Sequence, residues 1–302
     1  MKLAHRFIFL CIVFSIEFTA AQTIDLDAEK WAKELNKKGK DGNESYRTID
    51  SILENTKNAR PFDFINKLAD KGKKDYHFQA RFNCLKAHQT CLVGFFKDNI
   101  ITPEGLARKA EIKAMLDFAM DQAYRSEDDH LIALTSTWYG RLMIHFGEIG
   151  VALMYAMNGL DLSEKLSERI GPYEFQFLAE MLYKVREYNN SIKYARKAVN
   201  AWKTSNQDGS AGFLISSLNT VALGYHRQDK YDTAFYYYDQ ALQLAKETNR
   251  PIWIGIVSAN MAQIYYMQKK YDIAYPIFIN DYRTSKDSGY YDNAANSLQW
   301  AA

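Results

Sequence analysis

The 302-residue chain sets 38 Lys and Arg against 36 Asp and Glu, a formal net charge of +2, with no long block of either sign. That balance excludes the basic stripe a nucleic-acid surface requires, so no nucleic-acid binding is expected of this segment. Hydrophobic residues make up 47% of the chain, enough for a sizeable core, while only five prolines and 15 glycines interrupt it. Long stretches are thus free of helix breakers, and the expected fold class is all-α.

The N-terminus reads apart from the rest. Lys2 and Arg6 precede the apolar run Phe7 to Phe18, and Thr19-Ala20-Ala21 offers small residues before Gln22. This is the pattern of a secretory signal peptide over residues 1–21, and it predicts an exported, periplasmic or extracellular mature segment. No later segment approaches the ~18 uninterrupted apolar residues of a transmembrane helix, so no membrane span is expected within the chain. Cys11 lacks the Leu-small-small context of a lipid-modified cysteine.

Residues 22–130 read as an irregular helical region, either degenerate repeats or a separate cap. Helices are predicted over Asp27 to Lys37, Tyr46 to Thr56, Phe62 to Lys71 and Tyr76 to Phe95, with Lys37 to Glu44 (KKGKDGNE) as a polar turn or linker. Thr102-Pro103-Glu104 supplies a cap and a first-turn proline for a further helix running to about Arg125. Within this region Cys84, His88 and Cys91 stand at i, i+4 and i+7 and share a helix face. Thiolate and imidazole together suit zinc or copper, which makes a metal-binding or enzymatic helical protein the alternative function. A fourth ligand is not nominated, and the same spacing fits a buried face with two apolar thiols and a hydrogen-bonded histidine. A disulfide between these cysteines is excluded on one helix, because seven residues separate the Cα atoms by ~10 Å against the ~7 Å a disulfide tolerates. Reduced, buried thiols and no metal are therefore the expectation, and no cofactor is called for.

From about residue 131 an internal repeat takes over. Val221 to Leu242 aligns with Met261 to Tyr282 at an offset of 40: Ala222 meets Ala262, Tyr225 meets Tyr265, Tyr231 meets Tyr271, Ala234 meets Ala274 and Tyr238 meets Phe278. Leu178 to Val199 fits at an offset of 43, and a fainter copy spans Tyr139 to Leu160 through Gly140, Gly147, Ala152 and Ala156. Small residues admit close helix approach while large rings fill the gaps at helical intervals. The aromatic run Tyr231 to Tyr238 is accordingly read as packing: Tyr231, Ala234, Phe235, Tyr238 and Ala241 on one buried face, Tyr236 and Tyr237 elsewhere. Asp281 breaks the pattern where other copies have Ala241 and Ala198, and Pro276 inside the second helix is expected to bend it. At the C-terminus Ala301 and Ala302 match Met261 and Ala262, so the next repeat is expected to be truncated in mid-helix.

This alternation of small and aromatic positions around a polar turn resembles the tetratricopeptide repeat. The resemblance implies an α-α superhelix, a solenoid of helical hairpins over 131–302, whose first helices line a concave groove for a protein or peptide. A period near 40 exceeds the family's usual length and requires helices longer by about a turn or longer connectors. Carried over position by position, the groove residues are Gln176, Glu180 and Lys184; Asn219, Leu223, His226 and Arg227; and Asn260, Gln263 and Tyr266, with Ala259 beside them and Thr137, Arg141 and His145 in the faintest copy. With no G-x-S-x-G, phosphate loop or H-E-x-x-H in the sequence, no catalytic role is expected. A secretory signal with such repeats also resembles the exported sensory part of bacterial signalling and regulatory proteins. The expected function is a non-catalytic recognition scaffold outside the cytoplasm, with oligomeric state open.

Overall fold

Local capping decides where several helices begin. The Asp27 carboxylate accepts hydrogen bonds from the amides of Glu29 and Lys30 and starts α1 (Ala28–Leu35); Asp128 does the same for His130 and Leu131 at the start of α7 (Asp129–Met143). The computed structural model describes residues 26–55, 61–72, 75–94, 96–97, 100–101, 103–168, 170–204 and 210–302. Residues 1–21, expected to be a signal peptide, and the expected helix cap Thr102 lie outside them. The described chain is helical apart from one antiparallel ladder pairing Phe96 with Ile101 and Lys97 with Ile100. It divides into two compact units, one ending at Ile170 and one running from Gly171 to Ala302.

The first unit holds α1, α2 (Gly39–Asn55), α3 (Pro61–Lys71), α4 (Tyr76–Gly94), α5 (Pro103–Ala107), α6 (Lys109–Arg125), α7 and α8 (Ile149–Lys165). The stretch expected to be a linker, Lys37 to Glu44, is a helix from Gly39 onward. Its cause is Arg81, a fully buried guanidinium that donates to the carbonyls of Leu35, Lys37 and Gly39 and to Asn43 Oδ1. A side chain at Gly42 would strike that guanidinium at 2.5 Å, so the glycine serves close approach rather than a turn. The helix expected from Pro103 to Arg125 is interrupted at Arg108, which separates α5 from α6. Between α7 and α8 the small residues act as expected: a Cβ at Gly140 would lie 2.7 Å from Ala156 N and 2.8 Å from its Cβ.

The second unit is a run of antiparallel hairpins, each helix packed on the next in sequence: α9 (Pro172–Lys184), α10 (Tyr188–Lys203), α11 (Ser210–His226), α12 (Tyr231–Glu247), α13 (Pro251–Met267), α14 (Tyr271–Asp287) and α15 (Tyr291–Ala301). Helices α11 to α14 have 17 residues each, and the connectors 248–250, 268–270 and 288–290 are short. The long period thus comes from lengthened helices. The connectors after α11, α12, α13 and α14 each turn on one left-handed residue, Asp229, Asn249, Lys269 and Gly289, at intervals of 20. Each closes by the same pair of bonds; after α13 these are Lys270 N to Tyr265 O at 2.9 Å and Lys269 N to Tyr266 O at 2.9 Å. This is the Schellman arrangement, which satisfies the last carbonyls of a helix.

The core follows the repeat. Ala234, Tyr238, Ala241 and Ala245 of α12 are fully buried, as are Ala262 of α13 and Phe278 of α14. Phe235 packs at a tilt on Tyr265 of the next hairpin at 5.3 Å and Tyr237 stacks on Tyr225 of its own at 5.8 Å, whereas Tyr236 is 63% exposed. Tyr231 departs from the expected buried face: it is only half-buried, with its hydroxyl on Asp229. Helix α14 runs unbroken through Pro276, which sits on its exposed side. The fold is all-α, of the tetratricopeptide solenoid type.

Candidate functional site

On the first-helix side of the second unit the side chains enclose a hollow of about 350 Å³, lined by Tyr183, Leu223, Arg227, Asn260, Gln263, Asn296, Gln299 and Trp300. These come from α9, α11 and its C-terminal turn, α13 and α15. On α11, α13 and α15 the contributing positions recur at three- and four-residue steps, so one stripe of each meets the same space, and α9 adds Tyr183. Arg227 follows the last residue of α11, where the helix dipole favours a cation. Its Nε donates to Tyr183 Oη at 2.9 Å, which fixes the guanidinium plane across α9 and α11. Asn260 Nδ2 donates to Asn219 Oδ1 at 2.9 Å, and Gln263 Nε2 to Asn260 Oδ1 at 3.4 Å, an amide chain crossing from α11 to α13. Trp300 meets Tyr266 edge-on at 5.5 Å and packs on the Ala259, Ala262, Ala274 and Phe278 cluster, which holds its ring against the core.

The residues singled out from the sequence distribute unevenly. Leu223, Arg227, Asn260 and Gln263 line the hollow together, Asn219 supports it through Asn260, and Tyr266 borders it through Trp300. Gln176, Glu180 and Lys184 lie on α9 outside that lining. Gln176 receives Trp202 Nε1 at 3.0 Å and donates to Glu180, which also accepts from Ser216. Burial raises the Glu180 carboxyl above its ordinary value, against the opposing pull of Gln176, Lys184 and Ser216. His226 is only 6% exposed, its ring 3.4 Å from Tyr238 Oη inside the hairpin, and burial pushes it down to about 4. In the first unit His145 is likewise pushed down to about 4 by burial. Tyr183, Asn296, Gln299 and Trp300 were not read from the sequence. For α15 the signal was present, since Gln299 and Trp300 stand 40 residues after Ala259 and Asn260.

The face of Cys84, His88 and Cys91 is buried in the first unit. His88 Nδ1 lies 2.7 Å from Asp50 Oδ1 and its ring 4.4 Å from that of Trp138. Both cysteines are free, and burial pushes each thiol up to about 12. Among the described residues no group of three His, Cys, Asp or Glu side chains is close enough to hold a metal ion. The polar centre the sequence did not reveal is Glu168, whose buried carboxylate receives Arg47 at 2.8 Å, Asn43 at 2.9 Å and His130 at 2.8 Å.

Hairpins stacked in sequence order with a mixed amide, aromatic and guanidinium hollow define a helical scaffold of tetratricopeptide type. The sequence model of the tetratricopeptide repeat matches residues 174–247. Among solved structures, the apo form of the quorum sensor NprR from B. thuringiensis is similar at 14% identity and a TM-score of 0.65, over 91% of this chain and 70% of that one. NprR in complex with its cognate peptide NprX gives 15% identity and a TM-score of 0.61, over 86% and 72%. A Rap protein complexed with competence and sporulation factor gives 13% and 0.61, over 90% and 70%. No curated protein matches the sequence significantly. At these identities the likeness is one of fold.

Proposed function

We propose that the chain is a non-catalytic scaffold that binds an extended peptide or protein segment in the hollow, outside the cytoplasm, as the sensory part of a signalling or regulatory system. The observation that carries this reading is the lining itself. Four carboxamides, from Asn260, Gln263, Asn296 and Gln299, can hydrogen-bond a backbone in either polarity, and Arg227 adds a cation while Leu223 and Trp300 offer apolar contact. The similarity of fold to NprR, solved with its peptide NprX, and to a Rap protein solved with competence and sporulation factor supports it. Export rests on the pattern of residues 1–21.

The test is selection of a phage-displayed random peptide library on the immobilised chain, repeated on Arg227→Ala with Asn260→Ala. Enriched peptides bound by the unaltered chain and lost in the double variant support the hollow; peptides bound equally by both refute it. Export is tested separately, by fusing residues 1–30 to a reporter that folds only outside the cytoplasm. A reporter that stays inactive refutes that part.

A further inference from the structure

The seam between α14 and α15 differs in kind from the seam one repeat earlier. Between α12 and α13 four equivalent positions are Ala241, Ala245, Trp253 and Val257, all buried and apolar. Forty residues on they are Asp281, Ser285, Asn293 and Ser297, with Asp281, Ser285 and Ser297 fully buried. Asp281 accepts from Asn293 Nδ2 at 2.8 Å, from Ser285 Oγ at 3.2 Å and from Ser297 Oγ, and Asn293 also donates to Ser285 at 2.7 Å. Room for the carboxylate comes from Gly255 of α13, where a Cβ would fall 2.2 Å from Asp281 Oδ1. The preceding repeat has Ile215 at that position and Ala241 opposite in the pattern. A large apolar residue with a small one has been exchanged for glycine with an acid.

Among the described residues no cation is paired with that acid. Helix α13 contains no Asp, Glu, Lys, Arg or His, its titratable side chains being Tyr265 and Tyr266, and α15 brings only Tyr291 and Asp292, both exposed. On α14 itself the nearby titratable groups are Tyr282, Arg283 and Lys286. Among the described residues none of these is hydrogen-bonded or ion-paired with Asp281, which is held by neutral donors alone. A buried charge compensated only by hydroxyls and an amide is costly, and its cost disappears on protonation.

We infer that Asp281 is a positioning residue for the hollow, a buried latch whose protonation sets how firmly α15 is held and, through it, where Asn296, Gln299 and Trp300 stand. The consequence for ligands rests on the reading of the hollow given above; the latch itself does not. Burial is the dominant influence on Asp281 and raises its carboxyl above the ordinary 3.8, against the opposing effect of Ser297, Ser285 and Asn293. The folded seam therefore favours the protonated acid. Its contribution is fully present below the ordinary value and is lost as pH rises through the folded one.

Hydrogen exchange followed by mass spectrometry tests this on the unliganded chain, with α11 and α12 as internal reference and rates corrected for chemical exchange. Relative protection of α15 is expected to fall roughly three- to tenfold as pH rises from about 3.5, below the ordinary carboxylate value, to about 8. Asp281→Asn is expected to flatten that dependence, and Ser297→Ala, which removes a donor to the ionised form, to move the midpoint of the fall to higher pH. A flat α15 profile in the unaltered chain, an unchanged slope in Asp281→Asn, or an unmoved midpoint in Ser297→Ala overturns the latch. Because no ligand is present, a failed peptide selection leaves this result intact.

Discussion

Replacing Lys269 with glycine is expected to stabilise the repeat unit, although it removes a side chain and adds chain freedom. Lys269 holds φ at +60°, and its side chain is exposed. A left-handed backbone costs an ordinary L-residue about 1–2 kcal/mol, whereas glycine adopts it freely and loses about 0.5–1 kcal/mol to unfolded-state entropy. The balance is a gain of about 0.5–1 kcal/mol. Two positions calibrate it: Asn249, at φ +49°, belongs to a residue type that tolerates this conformation, so Asn249→Gly should gain less, and Gly289→Ala, at φ +79° with nothing within 4 Å of the added Cβ, should lose about 1 kcal/mol through backbone strain alone. Urea unfolding followed by far-UV circular dichroism reads all three as midpoint changes at constant slope. A loss of stability in Lys269→Gly, or a gain in Gly289→Ala, would refute the assignment of the turns.

Tyr238 is fully buried and Tyr236 is 63% exposed, so in the same assay Tyr238→Ala should cost about 3–5 kcal/mol and Tyr236→Ala less than about 0.5 kcal/mol. His226, pushed down from 6.5 to about 4, favours the neutral ring in the folded state; its contribution is complete above the unfolded value and is lost as pH falls below it, by up to about 1.4 kcal/mol per pH unit until the folded value is reached. Its ring proton should titrate near that lower value by NMR, and an ordinary titration would show the ring to be solvated. Cys84 and Cys91, with thiols pushed up to about 12, should resist a thiol reagent at neutral pH in the folded chain and both react in denaturant; rapid labelling of the native protein would place them at the surface.

What the sequence made legible was whatever repeats. Alternating small and aromatic positions fixed the hairpins of α9 to α14, because close packing demands those sizes at those intervals, and the buried Ala234, Tyr238 and Phe278 follow from it. Half of the hollow's lining came from the same register. The remainder had physical reasons to stay hidden. Tyr183 enters only through its bond with Arg227, and α15 was read as an unfinished copy rather than as a wall. In the first unit the glycines of KKGKDGNE signalled a turn, and Gly39 does hold φ at +59°, while Gly42 instead clears space for the buried Arg81, a residue 39 positions further on. Likewise nothing local marks Glu168 as the acceptor for Arg47, Asn43 and His130. Propensity sees neighbours along the chain, and these contacts are between strangers in sequence.

The uniform stride of the connectors has a genetic corollary. Lys230-Tyr231-Asp232 and Lys270-Tyr271-Asp272 are identical triplets at equivalent places, one entering α12 and the other α14. Unequal recombination between them would excise or duplicate a cassette of whole hairpin length and rejoin the chain through the very turn it left, so such an array can lengthen or shorten without inventing a new junction.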